Sequence, residues 1–141
     1  MYECSRPALM EKMKSMLLFL AVPLLALAGG YSQTGAATFY ADRYIGEKTT
    51  SGEAYDPIKM TAAHATLPLH SYVKVQNLGN GRSVVLKIND RMSRKSRYII
   101  DVSAEAAREL GLLSGGKNRV ELKMSSKAAA EAALTNKIEP S

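Results

Sequence analysis

Two alternating segments joined by a short turn constrain the fold of this chain most strongly. The segments are Tyr72–Asn77 and Ser83–Asp90, and in each of them apolar side chains occupy every second position. Such alternation is typical of a strand with one buried face. The residues between them include Asn80 and Gly81, a pair that favours the tight turn of a β-hairpin. The sequence therefore predicts two adjacent antiparallel strands.

Two further strands and one short helix are predicted after the hairpin. Tyr98–Val102 and residues 119–124 alternate in polarity and are rich in residues that favour strands. Between them, Ser103 can cap a helix over Ala104–Leu110, and Gly111 can end it. A short helix among many short strands favours a small closed barrel, because closure removes exposed strand edges.

The N-terminus has the pattern of a secretory signal. Lys12 and Lys14 precede an uncharged, mostly apolar run over residues 16–28, which ends in small residues. A basic start, a short apolar run and a small-residue cleavage site define such signals. The run is shorter than the roughly 20 residues that span a bilayer. We expect residues 1–28 to be removed by cleavage after Ala28, and retention as an uncleaved anchor is the alternative.

The rest of the chain is expected to have three parts: a flexible lead over residues 29–34, a barrel domain over residues 35–124, and a mobile, Ala-rich tail over residues 125–141. The one cysteine, Cys4, lies within the signal, so neither a disulfide nor a cysteine metal site is expected after cleavage. No cysteine follows the apolar run for lipid attachment. We therefore expect a soluble exported protein, periplasmic or secreted, without stable membrane insertion after cleavage.

The charge of the chain narrows the choice of partner. Its formal net charge is +6 at pH 7, which suits an anionic polymer such as nucleic acid, an acidic membrane or a carboxylate-bearing cell wall. Export disfavours nucleic acid. The chain also has no Trp, and its cations are not interleaved with aromatic residues that could stack on bases.

The titratable residues of the predicted loops are the candidates for chemistry. Glu53 lies in a turn-rich stretch, His64 just before a predicted strand, and Asp90 where a strand leaves the sheet. Loops on a rigid scaffold commonly carry functional sites. The spacing of histidines and carboxylates does not match a zinc site, and no serine lies in a nucleophile elbow. On spacing alone, Glu53 and Asp90 are interpreted as solvated loop acids and His64 as a hydrogen-bonded structural histidine.

Several motifs, taken in order, change this interpretation. They are SGEAYD, TAAHATLP, VQNLGNG, INDR and, further on, IIDVS. With the residues around them, from Gly35 to about Met124, they resemble the rare lipoprotein A-like family of bacterial lytic transglycosylases. The resemblance implies a mainly β fold, namely a small six-stranded double-psi β-barrel with one or two short helices.

The same resemblance implies an activity and its residues. The family cleaves the peptidoglycan glycan between N-acetylmuramic acid and N-acetylglucosamine without water and leaves a 1,6-anhydro end. Asp90 is the expected acid/base, with Glu53 and His64 as the other polar residues of the groove, and Asp101 is interpreted as structural. The expected substrate contacts are Tyr40, Tyr55, Asn89 and Arg91. No metal or other cofactor is expected, and the expected partner of the monomer is the peptidoglycan glycan strand.

One carboxyl group can suffice for this reaction. A hydrolytic glycosidase needs two, because the second supplies or activates the nucleophile. Here the 6-hydroxyl of the sugar attacks its own anomeric carbon, so one group can protonate the leaving oxygen and accept the hydroxyl proton. For donation near neutral pH, the pKa of Asp90 must rise well above the roughly 3.9 of a free aspartate. Burial would raise it, and Arg91 would lower it unless the guanidinium points away.

Three places depart from the family pattern. Residues 92–95 (Met-Ser-Arg-Lys) follow Arg91 where the family commonly has Gly-Pro and an aromatic residue. His70 replaces a usual turn glycine, and Ala41 replaces a glycine after the aromatic pair. The altered loop leaves open a different class of function, a barrel that binds wall glycan without cleaving it and resembles expansin-like modules. An inhibitor or scaffold that engages another wall enzyme is a third possibility.

Overall fold

The computed structural model describes residues 30–114 and 116–138, and the predicted signal lies outside them. These residues form six strands and two helices: β1 (Ser32–Phe39), β2 (Thr61–Ala63), β3 (Tyr72–Asn77), β4 (Ser83–Asp90), β5 (Tyr98–Val102), α1 (Ala104–Leu110), β6 (Arg119–Ser125) and α2 (Lys127–Ile138). A single 3-10 turn, Asp42–Tyr44, follows β1. Neither of these two helices has the length and apolar character needed to cross a membrane.

The six strands close into one barrel in the order β1-β5-β2-β4-β3-β6. β1 and β5 pair in parallel, as do β2 and β4, and the remaining neighbours are antiparallel. The predicted hairpin is confirmed as the β3–β4 pair, with Val75 opposite Val84. The mainly β, six-stranded barrel expected from the sequence is also confirmed.

The hydrophobic core fills the barrel and extends to α1. Its fully buried strand residues lie mostly at alternating positions, as the period of two requires. They include Val73, Val75, Leu86, Ile88, Ile100, Val102, Val120 and Leu122. Leu110 of α1 packs against the same cluster. Burying each side chain of this size contributes about 1.5–3 kcal/mol.

The ends of α1 form as the sequence predicts. The hydroxyl of Ser103 accepts a hydrogen bond from the amide of Ala106, and Gly111 adopts a left-handed conformation (φ 66°) just past Leu110. A glycine is favoured there because a side chain would make this conformation costly. The helix is thereby held immediately after β5.

Irregular strand pairing positions the two aspartates that matter for the site. Along the β2–β4 pair the register shifts by one residue at Asn89, which places Asp90 opposite Ala63. In the β1–β5 pair the register also shifts by one residue, at Ile99. On the other edge of β5, Asp101 pairs with Ala63 of β2. Such β-bulges commonly redirect a side chain near a functional site. Asp90 and Asp101 therefore flank the same residue of β2.

The structure assigns secondary structure within two segments that were expected to be flexible or mobile. Residues 32–34, expected in a flexible lead, belong to β1 because they pair with β6. Residues 127–138, expected in a mobile tail, form α2. Lys137 of α2 forms ion pairs with Glu105 and Glu109 of α1, so charge rather than an apolar stripe links the two helices.

Candidate active site

Asp90 ends β4, and its carboxylate accepts four hydrogen bonds. The hydroxyl of Tyr40 donates to Oδ2 at 2.6 Å. Thr50 donates to Oδ1 twice, from its amide nitrogen at 2.9 Å and from its hydroxyl at 2.8 Å. The amide of Arg91 also donates to Oδ1, at 2.9 Å. The fold thus supplies this carboxylate with donors from three separate segments.

These hydrogen bonds determine the protonation of Asp90. Partial burial alone would raise the pKa of the carboxyl, but the donors on Tyr40, Thr50 and Arg91 outweigh it and hold the pKa below its usual range. The rise in the pKa of Asp90 that proton donation near neutral pH would require is therefore absent from this structure. At neutral pH the carboxylate is ionised, which suits it to accept a proton.

Arg91 reaches the neighbouring loop with its guanidinium. Nη1 donates to the carbonyl oxygens of His64 and Leu67, at 3.2 Å and 2.5 Å. The side chain expected to contact substrate therefore makes hydrogen bonds within the protein. In the same region the amide of His64 donates to the carbonyl oxygen of Asp90 at 3.2 Å. Together these contacts fix the His64 loop against the end of β4.

His64 is buried and follows β2 directly, so the predicted position just before a strand is wrong. Its Nδ1 accepts hydrogen bonds from the amides of Thr66 and Leu67, at 3.1 Å and 3.0 Å. Nε2 therefore carries the proton and donates to Oε1 of Gln33 at 3.0 Å. Burial lowers the pKa of the imidazole, and the charge of Arg91 lowers it further. The ring is neutral, and both of its nitrogens form hydrogen bonds within the protein.

Tyr40 and Tyr55 stack beside Asp90, with ring centroids 4.4 Å apart and planes inclined by 22°. The hydroxyl of Tyr55 accepts a hydrogen bond from the amide of Ala104 at 3.1 Å, at the start of α1. Burial is the main cause of the raised pKa of Tyr40, and its hydrogen bond to Asp90 adds to it. Tyr40 therefore keeps its proton and remains a donor.

Two of the four expected substrate contacts are buried. Tyr55 is 4% exposed and Asn89 is 3% exposed, so both side chains support the site from within. The carbonyl oxygen of Asn89 accepts a hydrogen bond from the amide of Ser51 at 3.0 Å, which anchors the Glu53 loop. Tyr40 is only partly buried and remains the expected contact nearest to Asp90.

Glu53 is held in that loop by an ion pair that the sequence analysis did not identify. Nζ of Lys87 donates to Oε1 of Glu53 at 2.7 Å. This hydrogen bond is the main cause of the lowered pKa of Glu53, and it outweighs the opposing effect of burial. His70 lies 3.9 Å from the same oxygen. Glu53 is therefore an ionised, half-exposed carboxylate.

A cavity of about 900 Å³ extends from this ion pair between the barrel, α1 and α2. Glu53 and Lys87 line it at the barrel, together with Tyr72, and Leu134 lines it from α2. Of the three candidate residues Asp90, Glu53 and His64, only Glu53 lines this cavity.

In residues 30–114 and 116–138, no group of three His, Cys, Asp or Glu side chains could hold a metal ion.

Two residues near Asp90 gain importance from the structure. Thr50 supplies two of the four hydrogen-bond donors to Asp90. In the sequence, the polar turn Thr-Ser-Gly that contains Thr50 was the one feature that could have indicated this role.

Asp101 has a buried Oδ1 that receives no hydrogen bond from the described residues. Burial, and then the charge of Asp90, raise the pKa of Asp101 to about 6.

Comparison with known proteins agrees with this architecture. The family model described as "Lytic transglycolase" matches residues 32–122. The endolytic peptidoglycan transglycosylase RlpA of Pasteurella multocida (strain Pm70) is 47% identical over 97 residues, which cover 69% of this chain and 33% of that protein. The RlpA protein of Neisseria meningitidis (strain Z2491) is 47% identical over 92 residues, covering 65% of this chain and 38% of that protein.

A solved structure supports the fold, and the alignment covers nearly the whole length of that solved structure. The Streptomyces papain inhibitor aligns with a TM-score of 0.54 and 25% sequence identity, over 68% of this chain and 96% of that chain. This chain spans about a third of the length of the curated relatives it matches. The match of the family model to most of the barrel, with the six strands in a closed double-psi arrangement, shows that the chain belongs to the lytic transglycolase family.

Proposed function

We propose that this protein is an endolytic transglycosylase that cleaves peptidoglycan glycan strands between N-acetylmuramic acid and N-acetylglucosamine. The product is a 1,6-anhydro-N-acetylmuramic acid end, and the role is cell wall remodelling. Relatives named endolytic peptidoglycan transglycosylases, 47% identical over the barrel, support the activity. The observation that carries the proposal is the half-buried Asp90 carboxylate, held by Tyr40 and Thr50 at the end of β4.

Asp90 is the proposed acid/base. Because hydrogen bonds lower its pKa, the resting carboxylate is ionised and ready to take the proton from the attacking 6-hydroxyl. The same negative charge stabilises the positive charge that develops on the anomeric carbon in the transition state. Protonation of the leaving oxygen requires a second proton at the site, since an ionised Asp90 holds none.

Glu53 and His64 have different supporting roles in this proposal. Glu53 is half-exposed and lines the cavity next to the site, so it is the residue proposed to orient substrate. His64 has both ring nitrogens engaged within the protein, so it acts as a positioning residue. It holds the loop whose carbonyl oxygens bind Arg91, the residue that follows Asp90.

A binding module without catalysis is the second candidate. Two observations favour it: Asp90 already accepts four hydrogen bonds, as a structural carboxylate would, and residues 92–95 replace the stiff turn expected beside it. Binding and cleavage predict different products from the same substrate, so they can be separated directly.

The cellular setting is also a proposal. Residues 1–28 are proposed to direct export and to be cleaved, which leaves a soluble monomer in the periplasm or outside the cell. Residues 1–28 carry three cations and two acids, so their removal changes the net charge from +6 to +5, which still suits the carboxylates of a cell wall. N-terminal sequencing of the exported protein tests the cleavage site, and a start at Gly29 is the expected result.

The experiment that tests the function is incubation of the protein with purified peptidoglycan, both intact and stripped of its stem peptides. Soluble 1,6-anhydro products, identified by mass spectrometry, are expected on at least one substrate. Co-sedimentation with peptidoglycan without any anhydro product would support the binding module instead. Recovery of another wall enzyme in a pull-down, without affinity for peptidoglycan, would support an inhibitor or scaffold.

A further inference from the structure

The cavity beside Glu53 has one wall that lies outside the region shared with the family. The family model matches residues 32–122, whereas α2 spans Lys127–Ile138. The residues of α2 that line the cavity include Ala130, Ala133 and Leu134. This chain therefore adds to the barrel a helix that encloses a cavity next to a candidate site residue.

Helix α2 is held at its two ends. At its N-terminus it follows β6 after one residue, Ser126, whose hydroxyl accepts a hydrogen bond from the amide of Ala129 at 3.1 Å. Near its C-terminus, Lys137 forms ion pairs with Glu105 and Glu109 of α1. The structure describes every residue of α2, and none of them is buried. A helix that is packed for stability buries an apolar stripe, whereas the middle of α2 leaves about 900 Å³ unfilled between itself and the barrel.

One loop links this cavity with the candidate catalytic carboxylate. Thr50 donates two hydrogen bonds to Asp90, and Glu53, three positions further along, lines the cavity. Three residues of chain span at most about 11 Å, so the two ends of this loop segment lie close together. A polymer that binds across Asp90 continues past it, and the cavity is within reach of its next units.

The charges that line the cavity cancel. Four glutamates and four lysines line it, among them the pair of Glu53 and Lys87 at 2.7 Å and the pair of Glu131 and Lys127 at 3.6 Å. A strongly charged ligand is recognised by a surface of the opposite charge. A lining without net charge therefore favours a polar ligand that carries little charge of its own.

The rest of the lining suits sugar rings. Ile58, Val84 and Leu134 supply apolar surface, and Tyr72 and Asn136 supply polar groups among them. Sites for small organic ligands commonly combine apolar walls with a few polar groups and have volumes of roughly 300–1,000 Å³. A pyranose ring has apolar faces and an edge of hydroxyl and N-acetyl groups, so it matches both parts of this lining.

We propose that the cavity is a binding subsite for sugar units of the peptidoglycan glycan strand that lie away from the cleaved bond, with α2 as its outer wall. The inference rests on the proposed function, because that function makes the glycan strand the ligand. The small side chains of Ala130 and Ala133 leave the space that the sugars occupy. Glu53 lies where the subsite meets the loop that contacts Asp90.

Isothermal titration calorimetry with glycan oligosaccharides stripped of stem peptides tests the subsite. Each variant is made in the full exported chain that also carries Asp90→Asn, which under the proposed mechanism does not cleave the ligand. Ala130→Trp fills the cavity with a large side chain. It should weaken the binding of long oligosaccharides at least about tenfold, because the units beyond Asp90 lose their contacts.

Ala132→Trp is the matched control, since Ala132 is exposed on the same helix and does not line the cavity. Thermal denaturation checks that both variants fold. Ala133→Trp, which also fills the cavity, takes the place of Ala130→Trp if that variant does not fold. Equal affinities of the cavity variant and the Ala132→Trp control would overturn the subsite.

The formation of anhydro product by the wild type separates this inference from the proposed function. Anhydro product together with equal affinities of the two tryptophan variants would overturn the subsite and leave the function in place. Weaker binding by Ala130→Trp, without anhydro product from the wild type, would support the subsite and overturn the proposed cleavage.

Discussion

The hydroxyl of Tyr40 donates a hydrogen bond of 2.6 Å to Oδ2 of Asp90, across a separation of 50 residues in the chain. Tyr40 follows β1 and Asp90 ends β4, two strands that are not neighbours in the barrel. The stack of Tyr40 on Tyr55, which receives a hydrogen bond from the start of α1, keeps this donor in place. Tyr40, which is distant from Asp90 in the chain, thus helps to keep the candidate catalytic carboxylate ionised.

Tyr40→Phe removes this donor and keeps the aromatic stack. The pKa of Asp90 should rise, because burial is then opposed by one donor fewer. Loss of a hydrogen bond to a charged group should lower the free energy of unfolding at pH 7 by about 1–2 kcal/mol. Carboxyl NMR and chemical denaturation measure the two effects. Tyr44→Phe is the control, since the exposed hydroxyl of Tyr44 accepts a hydrogen bond from Arg43. Equal Asp90 pKa values in both variants would contradict the account.

Asp101 should make the protein less stable as the pH rises through the acid range. Its pKa is about 3.9 in the unfolded chain and about 6 in the folded one. Between these values the folded state binds more protons, so the free energy of unfolding falls with rising pH. Asp101→Asn should remove this decrease and be more stable at pH 7 by on the order of 1–3 kcal/mol. Denaturation at pH 4 and pH 7 measures it. A variant that is less stable at pH 7 would show that the ionised Asp101 is well accommodated.

Glu53→Gln separates function from stability. The ion pair with Lys87 is partly exposed, so its loss should change the free energy of unfolding by no more than about 1 kcal/mol. Formation of anhydro product should nevertheless fall at least about tenfold if Glu53 orients substrate. Glu121→Gln is a matched control, because Glu121 pairs with Lys123 on β6 and does not line the cavity. Full activity of Glu53→Gln would remove Glu53 from the site.

His70 adopts a left-handed backbone conformation with φ 68°, at the place where the family tends to have glycine. A residue with a side chain pays roughly 1–2 kcal/mol for this conformation, and glycine does not. His70→Gly should therefore be more stable than His70→Ala by about 1 kcal/mol, as measured by thermal denaturation of the two variants. Greater stability of the alanine variant would show that the turn is not strained.

Local patterns in the sequence predicted much of this fold. The bounds of β3, β4, β5 and α1 match the predicted ones, since alternation, the Asn80-Gly81 turn and the Ser103 cap are properties of neighbouring residues. No strand was located over β1 or β2, and residues 32–34 were assigned to a flexible lead although they pair with the distant β6. Helix α2 was underestimated because its attachment depends on ion pairs with α1 rather than on an apolar face.

The candidate site was predictable by motif but not by environment. Asp90, Glu53 and His64 are found in the matching motifs, yet the lowered pKa of Asp90 depends on donors from Thr50 and Tyr40 that no local pattern reveals. The position of Asp101 beside Asp90 depends on their shared neighbour in β2. Such relations arise only when the barrel closes.

The formation of 1,6-anhydro ends by the wild type and by Asp90→Asn tests the central claim most directly. Purified peptidoglycan is incubated with each protein, with Glu121→Gln as the control, and the soluble products are identified by mass spectrometry. We predict anhydro products from the wild type and the control, and at least a hundredfold less from Asp90→Asn, in line with the usual contribution of an acid/base group, about 10²–10⁴-fold. Equal yields from the wild type and Asp90→Asn would contradict the assignment of Asp90 as the catalytic carboxylate.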